Sequence, residues 1–204
     1  MLSKARIAVL VSGGGTNLQA LIDAQKSGVI KSGEICLVIS NVDGAYALER
    51  ARNNGIEALT ITRRAAGSQE AFEQQIDSAL KERGIELIVL AGFLSILTGD
   101  FTRKYPDRII NVHPSLIPSF CGKGFYGLKV HEAALAYGVK VTGATVHFVN
   151  EVPDGGRIVL QKAVAIRKND TPETLQRRVM EQAEWKLLPR AAEIVSRDII
   201  KTRN

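Results

Sequence analysis

The sequence is poor in cysteine and has no long apolar run. Its two cysteines, Cys36 and Cys121, cannot build a disulfide framework, and neither has the spacing of a metal ligand, so we expect no metal site. No stretch reaches the roughly 18 consecutive apolar residues of a membrane span. The chain enters an apolar segment at Ile7 without the charged-then-apolar layout of a signal peptide. These features predict a cytoplasmic protein with no membrane partner.

The basic charge of the chain does not follow a nucleic-acid-binding pattern. Lysine and arginine number 27 against 21 acidic residues, which gives a net charge of +6. The cations are scattered, and the sequence has no basic arm, aromatic-interleaved motif or zinc pattern. A surplus of positive charge also suits small polyanions such as phosphates and polycarboxylates. We therefore expect small-molecule substrates and no nucleic acid.

Apolar and amphipathic segments alternate through the first half of the chain. The predicted strands are residues 7–12, 35–40, 57–61, 87–91 and 109–112. The predicted helices are residues 17–27, 46–54, 69–83 and about 100–105. Near-continuous apolar strands separated by helices are typical of a parallel sheet covered on both faces. The pattern predicts an α/β fold with a doubly wound, mostly parallel sheet. Cys36 falls in one of these strands and is expected in the core.

The second half of the chain has a different pattern. A turn-rich loop, residues 113–127, precedes a predicted helix at residues 128–137. Strands at residues 142–151 and 157–165 are joined by a Pro-Asp-Gly-Gly turn, which predicts an antiparallel pair. Thr171 and Pro172 begin a long terminal helix that we expect to reach about Ile200, with a bend at Pro189. We find no linker or repeat, and predict one domain over residues 1–204.

A glycine loop, residues 12–17 (Ser-Gly-Gly-Gly-Thr-Asn), follows the first predicted strand. Backbone N–H groups at the start of a helix bind anions when no side chains intervene. The loop lacks the Gly-Lys-Ser/Thr of the nucleotide P-loop, and Leu18 replaces the third glycine of the dinucleotide fingerprint. A simple turn is the alternative, but three successive glycines exceed what a turn requires. We expect a monophosphate at Gly14 and Gly15, with polar contacts from Thr16 and Asn17.

Asn111 lies in the fifth predicted strand and His113 directly follows it, at the point where Pro114 must stop the strand. Alternate residues of a strand point to the same side, so both side chains should project together. An amide and an imidazole can donate two hydrogen bonds to one oxygen and move a proton, as acyl-type transfer requires. The alternative is a strand end whose polar side chains cap backbone groups.

Four segments in order, spread over essentially the whole chain, resemble the phosphoribosylglycinamide formyltransferase family, the folate-dependent enzymes of purine biosynthesis. They are residues 12–20 (SGGGTNLQA), 90–97 (LAGFLSIL), 111–118 (NVHPSLIP), and 143–149 (GATVHFV) running into 154–156 (DGG). The resemblance implies formyl transfer from 10-formyltetrahydrofolate to the amine of 5-phosphoribosylglycinamide (GAR). It also implies a phosphate-binding half, residues 1–105, and a catalytic and folate-binding half, residues 106–204. It leaves open whether the protein is a monomer or a homodimer.

The resemblance assigns roles to particular residues. Asn111 and His113 would donate hydrogen bonds to the developing oxyanion. Asp154 would keep His113 protonated and help to move the proton from amine to folate; alone, it would be a turn residue. The remaining implied contacts are Gly14, Gly15, Thr16, Asn17 and Glu184 for the substrate, and Phe93, Leu94, Ser95, Ile96, Leu97, Asn111, Val149 and Asp154 for the folate. Of the other histidines, His147 is expected in the core or beside the site, and His131 at the surface.

The sequence departs from the family pattern at several positions. Ser95 and Gln69 occupy places where better-known members carry a cation, which Arg63 or Arg64 would have to replace. The loop of residues 119–127 is several residues longer than in short-loop members. It is rich in glycine, which predicts a mobile lid, and its Lys123 is available to an anion.

Three alternatives stay open. The first two are another folate-dependent N-formyltransferase and a formyltetrahydrofolate hydrolase on the same scaffold. Both carry a further domain in the resembling families, for which we expect no room in this sequence. The third is a catalytically silent module that binds a phosphorylated metabolite through the glycine loop. Binding phosphate needs none of Asn111, His113 and Asp154, so their joint presence favours an enzyme.

Overall fold

A seven-stranded sheet forms the centre of the computed structural model, which describes residues 4–203. The strand order is β3-β2-β1-β4-β5-β6-β7. The strands are β1 (Ala5–Val11), β2 (Gly33–Ser40), β3 (Glu57–Thr60), β4 (Leu87–Leu90), β5 (Ile109–His113), β6 (Val141–Phe148) and β7 (Ile158–Ala165). Strands β1 to β5 pair in parallel, whereas β6 pairs antiparallel with both β5 and β7. The predicted doubly wound sheet with a C-terminal antiparallel pair is confirmed.

Helices cover the sheet, and several of them begin at side-chain caps. They are α1 (Thr16–Lys26), α2 (Tyr46–Asn53), α3 (Arg63–Ala66), α4 (Gln69–Glu82), α5 (Gly99–Thr102), α6 (Leu128–Tyr137), α7 (Pro172–Val179) and α8 (Trp185–Lys201). The side chain of Ser68 accepts the N–H of Ala71 at the start of α4, and Thr171 forms a capping box with Thr174 at the start of α7. The short helix α3 was not predicted.

Side chains on both faces of the sheet are buried, as expected for parallel strands. Along β1, Ile7 and Val9 pack with α1 and α8 on one face, while Ala8 and Leu10 pack with α4 on the other. This alternation explains the near-continuous apolar sequence of β1. A side chain on either face of β1 therefore packs against a helix.

The predicted long terminal helix is confirmed, but the irregular turn in it lies before Pro189. A π-helical turn, Met180–Glu184, joins α7 to α8, and Pro189 sits inside α8. Proline has no N–H to donate to the carbonyl of Trp185 one turn earlier, so the regular pattern is already lost there. Such widened turns are frequent at functional sites.

The prediction that Cys36 is a core residue is wrong. The pairing of β1 with β2 skips Cys36 between Ile35 and Leu37, so this residue forms a β-bulge and is partly exposed.

Strand order places the functional segments together. Strand β1 is hydrogen-bonded to both β2 and β4, so the chain leaves the sheet in opposite directions from two adjacent strands. In open α/β sheets, ligands bind at such switch points, outside the carboxyl ends of the strands. The glycine loop follows β1, residues 91–98 follow β4, and Asn111 and His113 end β5. All three segments therefore meet at one edge of the sheet.

Candidate active site

A cavity of about 830 Å³ opens at this edge of the sheet. Its walls come from both halves of the chain: the segment after β4, the end of β5, the β6–β7 turn, the loop before α6, and the α7–α8 junction. Lining residues from these parts include Asn17, Phe93, Leu94, Ser95, Ile96, Leu97, Asn111, His113, Lys123, His131, His147, Val149, Asp154 and Glu184. All the sequence-predicted catalytic and folate-binding residues thus share one cavity.

The β6–β7 turn brings Asp154 to His113. Asp154 adopts a left-handed conformation with φ of 55°, and its Oδ2 atom lies 3.5 Å from Nδ1 of His113. Gly156 allows this approach, because a Cβ there would lie 1.7 Å from the carbonyl oxygen of Phe148. The Asp-Gly-Gly sequence therefore makes a turn and also folds a carboxylate onto the end of β5.

His147 holds the amide of Asn111. Nδ1 of His147 lies 2.8 Å from the carbonyl oxygen of Phe148 and must donate to it, so the neutral ring has its lone pair on Nε2. Nε2 lies 3.2 Å from Nδ2 of Asn111 and accepts one of its two N–H groups. The other N–H is left for a substrate oxygen. The expectation that His147 lies in the core or beside the site is met in both respects, since it is buried and contacts Asn111.

The pKa shifts of His113 and Asp154 do not agree with the expectation that Asp154 keeps His113 protonated. Burial lowers the pKa of His113 below its ordinary value of 6.5, although Asp154 and the carbonyl of Phe120 oppose the shift. Burial alone would raise the pKa of Asp154, but the nearby His147 ring, the charge of His113 and the Gly122 N–H together lower it. The structure favours a neutral imidazole beside an ionised carboxylate.

Asn17 and Glu184 form a buried pair in the lining of the cavity, here called its polar end. Nδ2 of Asn17 donates to Oε2 of Glu184 over 2.8 Å. No described residue places a cation beside Glu184, and burial raises its pKa to about 7. Oδ1 of Asn17 is buried without a partner among the described residues. This end of the cavity therefore offers hydrogen-bonding capacity to a polar ligand.

The glycine loop presents an uncapped helix start. Gly15 has φ of 73°, and a Cβ on it would lie 2.6 Å from Cβ of Ala47, so only glycine fits. No side chain caps the first turn of α1. Nε of Arg50 donates to the carbonyl of Gly14 over 2.8 Å, which brings a cation to the loop. Thr16 and Arg50 line a neighbouring groove of about 710 Å³ that also contains Lys162.

The segment after β4 divides into anchors and exposed apolar residues. Phe93 and Leu97 are buried, whereas Leu94 and Ile96 are 65% and 67% exposed at the cavity. Ser95 does not reach for a charged ligand group, because its Oγ accepts the amide N–H of Asn41 at 2.7 Å. The sequence reasoning missed Asn41. Its position directly after β2, next to the switch point, could have indicated it.

Arg63 and Arg64 do not supply the cations that better-known members carry at the positions of Ser95 and Gln69. Gln69 donates to Glu73 and to the carbonyl of Ile96, so it fixes the segment after β4. Arg63 and Arg64 are exposed on α3 and are absent from the described lining of the cavity. Among the described lining residues, Lys123 is the one with a cationic side chain.

The prediction that His131 is a surface residue is wrong. His131 is fully buried on α6 and lines the cavity, and both ring nitrogens lack a partner among the described residues. Burial and the charge of His113 lower its pKa to about 4. Burial raises the pKa of the Cys121 thiol, whereas a reactive cysteine needs a lowered pKa.

Two features are absent from the described part of the chain. Within residues 4–203, no three His, Cys, Asp or Glu side chains are grouped so that they could hold a metal ion. Over the same residues, no helix combines the length and apolar character needed to cross a membrane.

Comparison with known proteins identifies the family. Residues 5–192 match the family described as Formyl transferase. The trifunctional purine biosynthetic protein adenosine-3 of Gallus gallus is 44% identical over 194 residues, which are 95% of this chain and 19% of that protein. The chain thus spans about a fifth of such trifunctional relatives. The chloroplastic phosphoribosylglycinamide formyltransferase of Arabidopsis thaliana is 36% identical over 201 residues, 98% of this chain and 68% of that protein.

Solved structures agree with this result. The glycinamide ribonucleotide transformylase 1 of Symbiobacterium toebii has a TM-score of 0.89 and 41% identity, over 96% of this chain and 89% of that chain. The phosphoribosylglycinamide formyltransferase of Brucella melitensis has a TM-score of 0.86 and 38% identity, over 95% and 96% of the two chains. The chain therefore belongs to the formyl transferase family, among the phosphoribosylglycinamide formyltransferases.

Proposed function

We propose that this protein transfers the formyl group of 10-formyltetrahydrofolate to the amine of GAR, in purine biosynthesis. The observation that carries the proposal is the arrangement of one cavity. The same cavity is lined by Asn111, His113 and Asp154, by the Asn17–Glu184 pair, which is its polar end, and by residues 93–97, which form its apolar wall. One substrate on the polar end and another on the apolar wall would share this cavity with the three proposed catalytic residues.

The polar end suits the ribonucleotide. Its phosphate binds at the uncapped start of α1, where Gly14 and Gly15 leave the backbone N–H groups accessible and Thr16 adds a hydroxyl. Arg50 adds positive charge beside the loop. Asn17 and Glu184 then take the hydroxyl groups of the ribosyl part.

The apolar wall suits the folate. Exposed Leu94 and Ile96 contact the flat pterin, and backbone groups of residues 93–97 bind its polar edge, with Val149 and Asp154 opposite. Lys123 is the candidate for the anionic tail of the folate, because Ser95 and Gln69 are held by Asn41 and Glu73.

The chemistry follows from the side chains. The amine attacks the formyl carbon, and Asn111 donates the N–H that His147 leaves free to the developing oxyanion. Neutral His113 takes a proton from the amine, and ionised Asp154 stabilises the imidazolium that results. The same proton then passes to the folate nitrogen as the carbon–nitrogen bond breaks. A silent phosphate-binding module would need none of these contacts.

A turnover assay tests the proposal. Purified protein is given 10-formyltetrahydrofolate with or without GAR, and formyl-GAR and free formate are measured. We expect formyl-GAR only when GAR is present. Formate released without the amine would favour a hydrolase, and GAR binding without turnover would favour the silent module. The cytoplasmic location and the monomeric or homodimeric state stay predictions; the Arabidopsis relative is named as chloroplastic.

A further inference from the structure

The two ring nitrogens of His113 face different partners. Nε2 lies 2.9 Å from the backbone carbonyl oxygen of Phe120, whereas Nδ1 lies 3.5 Å from Oδ2 of Asp154. A carbonyl oxygen can only accept a hydrogen bond, so Nε2 must carry the hydrogen. In the neutral ring, the lone pair therefore lies on Nδ1. This tautomer is opposite to that of His147, whose Nδ1 donates to the carbonyl of Phe148.

The side chain of Phe120 holds its own carbonyl in place. Its backbone has φ of 50°, a left-handed conformation that a bulky residue adopts only when its surroundings impose it. Its ring packs edge-on against Phe125 and Tyr137, with centroids 6.4 Å and 5.9 Å away. The next turn of the loop is tied to the site as well, because the N–H of Gly122 donates to Asp154 over 2.8 Å.

This arrangement leaves two acceptors facing each other. Burial favours the neutral form of His113 by lowering its pKa, and an ionised Asp154 can only accept hydrogen bonds. Nδ1 and Oδ2 at 3.5 Å repel each other unless an N–H or O–H group lies beside them. The amine of the proposed substrate supplies such a group. The opposite tautomer would direct the lone pair at the Phe120 carbonyl, away from the amine.

We propose that Phe120 is a positioning residue: its carbonyl selects the Nε2–H tautomer of His113 and makes Nδ1 the nitrogen that carries the transferred proton. The second part rests on the proposed function. The amine nitrogen bonds to the formyl carbon and gives one proton to Nδ1. The bond between that carbon and the folate nitrogen then breaks, and the proton leaves Nδ1 for the folate nitrogen. One proton is moved, and the ring returns to its starting tautomer.

Nitrogen NMR of the full-length protein tests the tautomer directly. The chain has three histidines, so a ¹⁵N-histidine-labelled sample gives few signals, and His131→Gln and His147→Gln variants assign them. We expect His113 as the Nε2–H tautomer and His147 as the Nδ1–H tautomer, without added substrate. The Nδ1–H tautomer at His113 would overturn the proposal. Because this measurement needs no activity, an inactive protein with the expected tautomer would contradict the proposed function and leave the tautomer assignment standing.

Phe120→Ala and Phe120→Leu test the role of the side chain. With the ring packing lost, we expect mixed tautomers at His113 and a kcat about tenfold lower or more in Phe120→Ala, with unchanged GAR binding and partial rescue in Phe120→Leu. The pKa of His113 should fall further, because the Phe120 carbonyl stabilises the protonated ring. General loosening would admit water and raise that pKa instead. Cys121→Ser is the matched loop control and should change neither signal nor rate. A rise in pKa, or an unchanged tautomer and kcat in Phe120→Ala, would overturn the assignment to Phe120.

Discussion

Glu184 accepts a hydrogen bond of 2.8 Å from Asn17, which lies 167 positions earlier in the chain. The bond joins the start of α1 to the π-helical turn before α8. The carboxyl group is buried with no cationic partner in residues 4–203, and burial raises its pKa from 4.5 to about 7. Between these values the folded state binds more protons than the unfolded state, so stability falls as pH rises from about 4.5 to about 7 and then levels off.

Glu184→Gln should therefore stabilise the fold at high pH. The amide keeps an acceptor for Asn17 without the cost of a buried charge. The shift from 4.5 to about 7 corresponds to about 3 kcal/mol at pH 8, an advantage that should vanish near pH 4.5. Urea unfolding at both pH values measures it. Glu181→Gln, exposed on the same turn and paired with Arg177, is the control and should bring no gain in stability at pH 8.

The same variant should bind GAR less well. Exchanging an ionised acceptor for a neutral one weakens hydrogen bonds to substrate hydroxyl groups by about 1.5 kcal/mol, or about tenfold in Kd at pH 8. Calorimetric titration with GAR gives the value. If GAR binding at pH 8 is unchanged, Glu184 does not belong to the substrate site.

Loss of His113 or Asp154 should reduce turnover and spare binding. His113→Ala and Asp154→Asn remove the proton carrier and its charged partner, and we expect kcat to fall about 10²- to 10⁴-fold. GAR binding should change little, because the contacts proposed for its phosphate and ribosyl parts are made by other residues, in the glycine loop and at Asn17 and Glu184. Asp198→Asn, exposed on α8, is the control carboxylate. Loss of GAR binding in parallel with kcat would instead indicate a damaged fold.

Asn111 and His147 should act as a unit. Asn111→Ala removes an oxyanion donor, which typically lowers kcat about 10²- to 10³-fold. His147→Leu keeps the site buried but removes the acceptor that orients the amide, so we expect a smaller loss, about tenfold. In the double variant the loss should match that of Asn111→Ala alone. Additive losses, measured in single-turnover experiments, would show that His147 acts on something other than Asn111.

The glycine loop offers a matched pair of substitutions. A Cβ at Gly15 would overlap Ala47 at a positive φ, so Gly15→Ala should cost about 1–3 kcal/mol of unfolding free energy. Gly14 has open space around its Cβ position, and Gly14→Ala should be close to neutral. Gly14→Asp should weaken GAR binding by charge repulsion and leave the KM for folate unchanged. Equal GAR affinity in Gly14→Ala and Gly14→Asp would remove the loop from the phosphate site.

The fold prediction rests on the periodicity of apolar residues and on local turn signals. The apolar run in β1, the Asp-Gly-Gly turn after β6 and the Thr171-Pro172 helix start are all read from neighbouring residues, and each has the predicted structure. The π-helical turn was not predictable in this way. It contains Glu184, whose hydrogen-bond partner Asn17 is distant in sequence.

The part of the candidate site that lies at the ends of strands could be predicted from the sequence. Asn111, His113 and Asp154 lie together in one cavity, and Leu94 and Ile96 are exposed there. Sequence did not reveal that His131 is buried, because one histidine in α6 carries no sign of which face packs inward. It also could not give the protonation of His113, since burial and the Phe120 carbonyl are tertiary features.

If Asn111, His113 and Asp154 catalyse formyl transfer between two bound molecules, a labelled formyl group must pass from one to the other. The label is followed when purified protein is mixed with [¹³C-formyl]-10-formyltetrahydrofolate and one equivalent of GAR. We expect the label to leave the folate and appear on the GAR amine in equal amount, and Asn111→Ala and Asp154→Asn to slow this transfer. Label that stays on the folate, or appears as formate while GAR is unchanged, would contradict it.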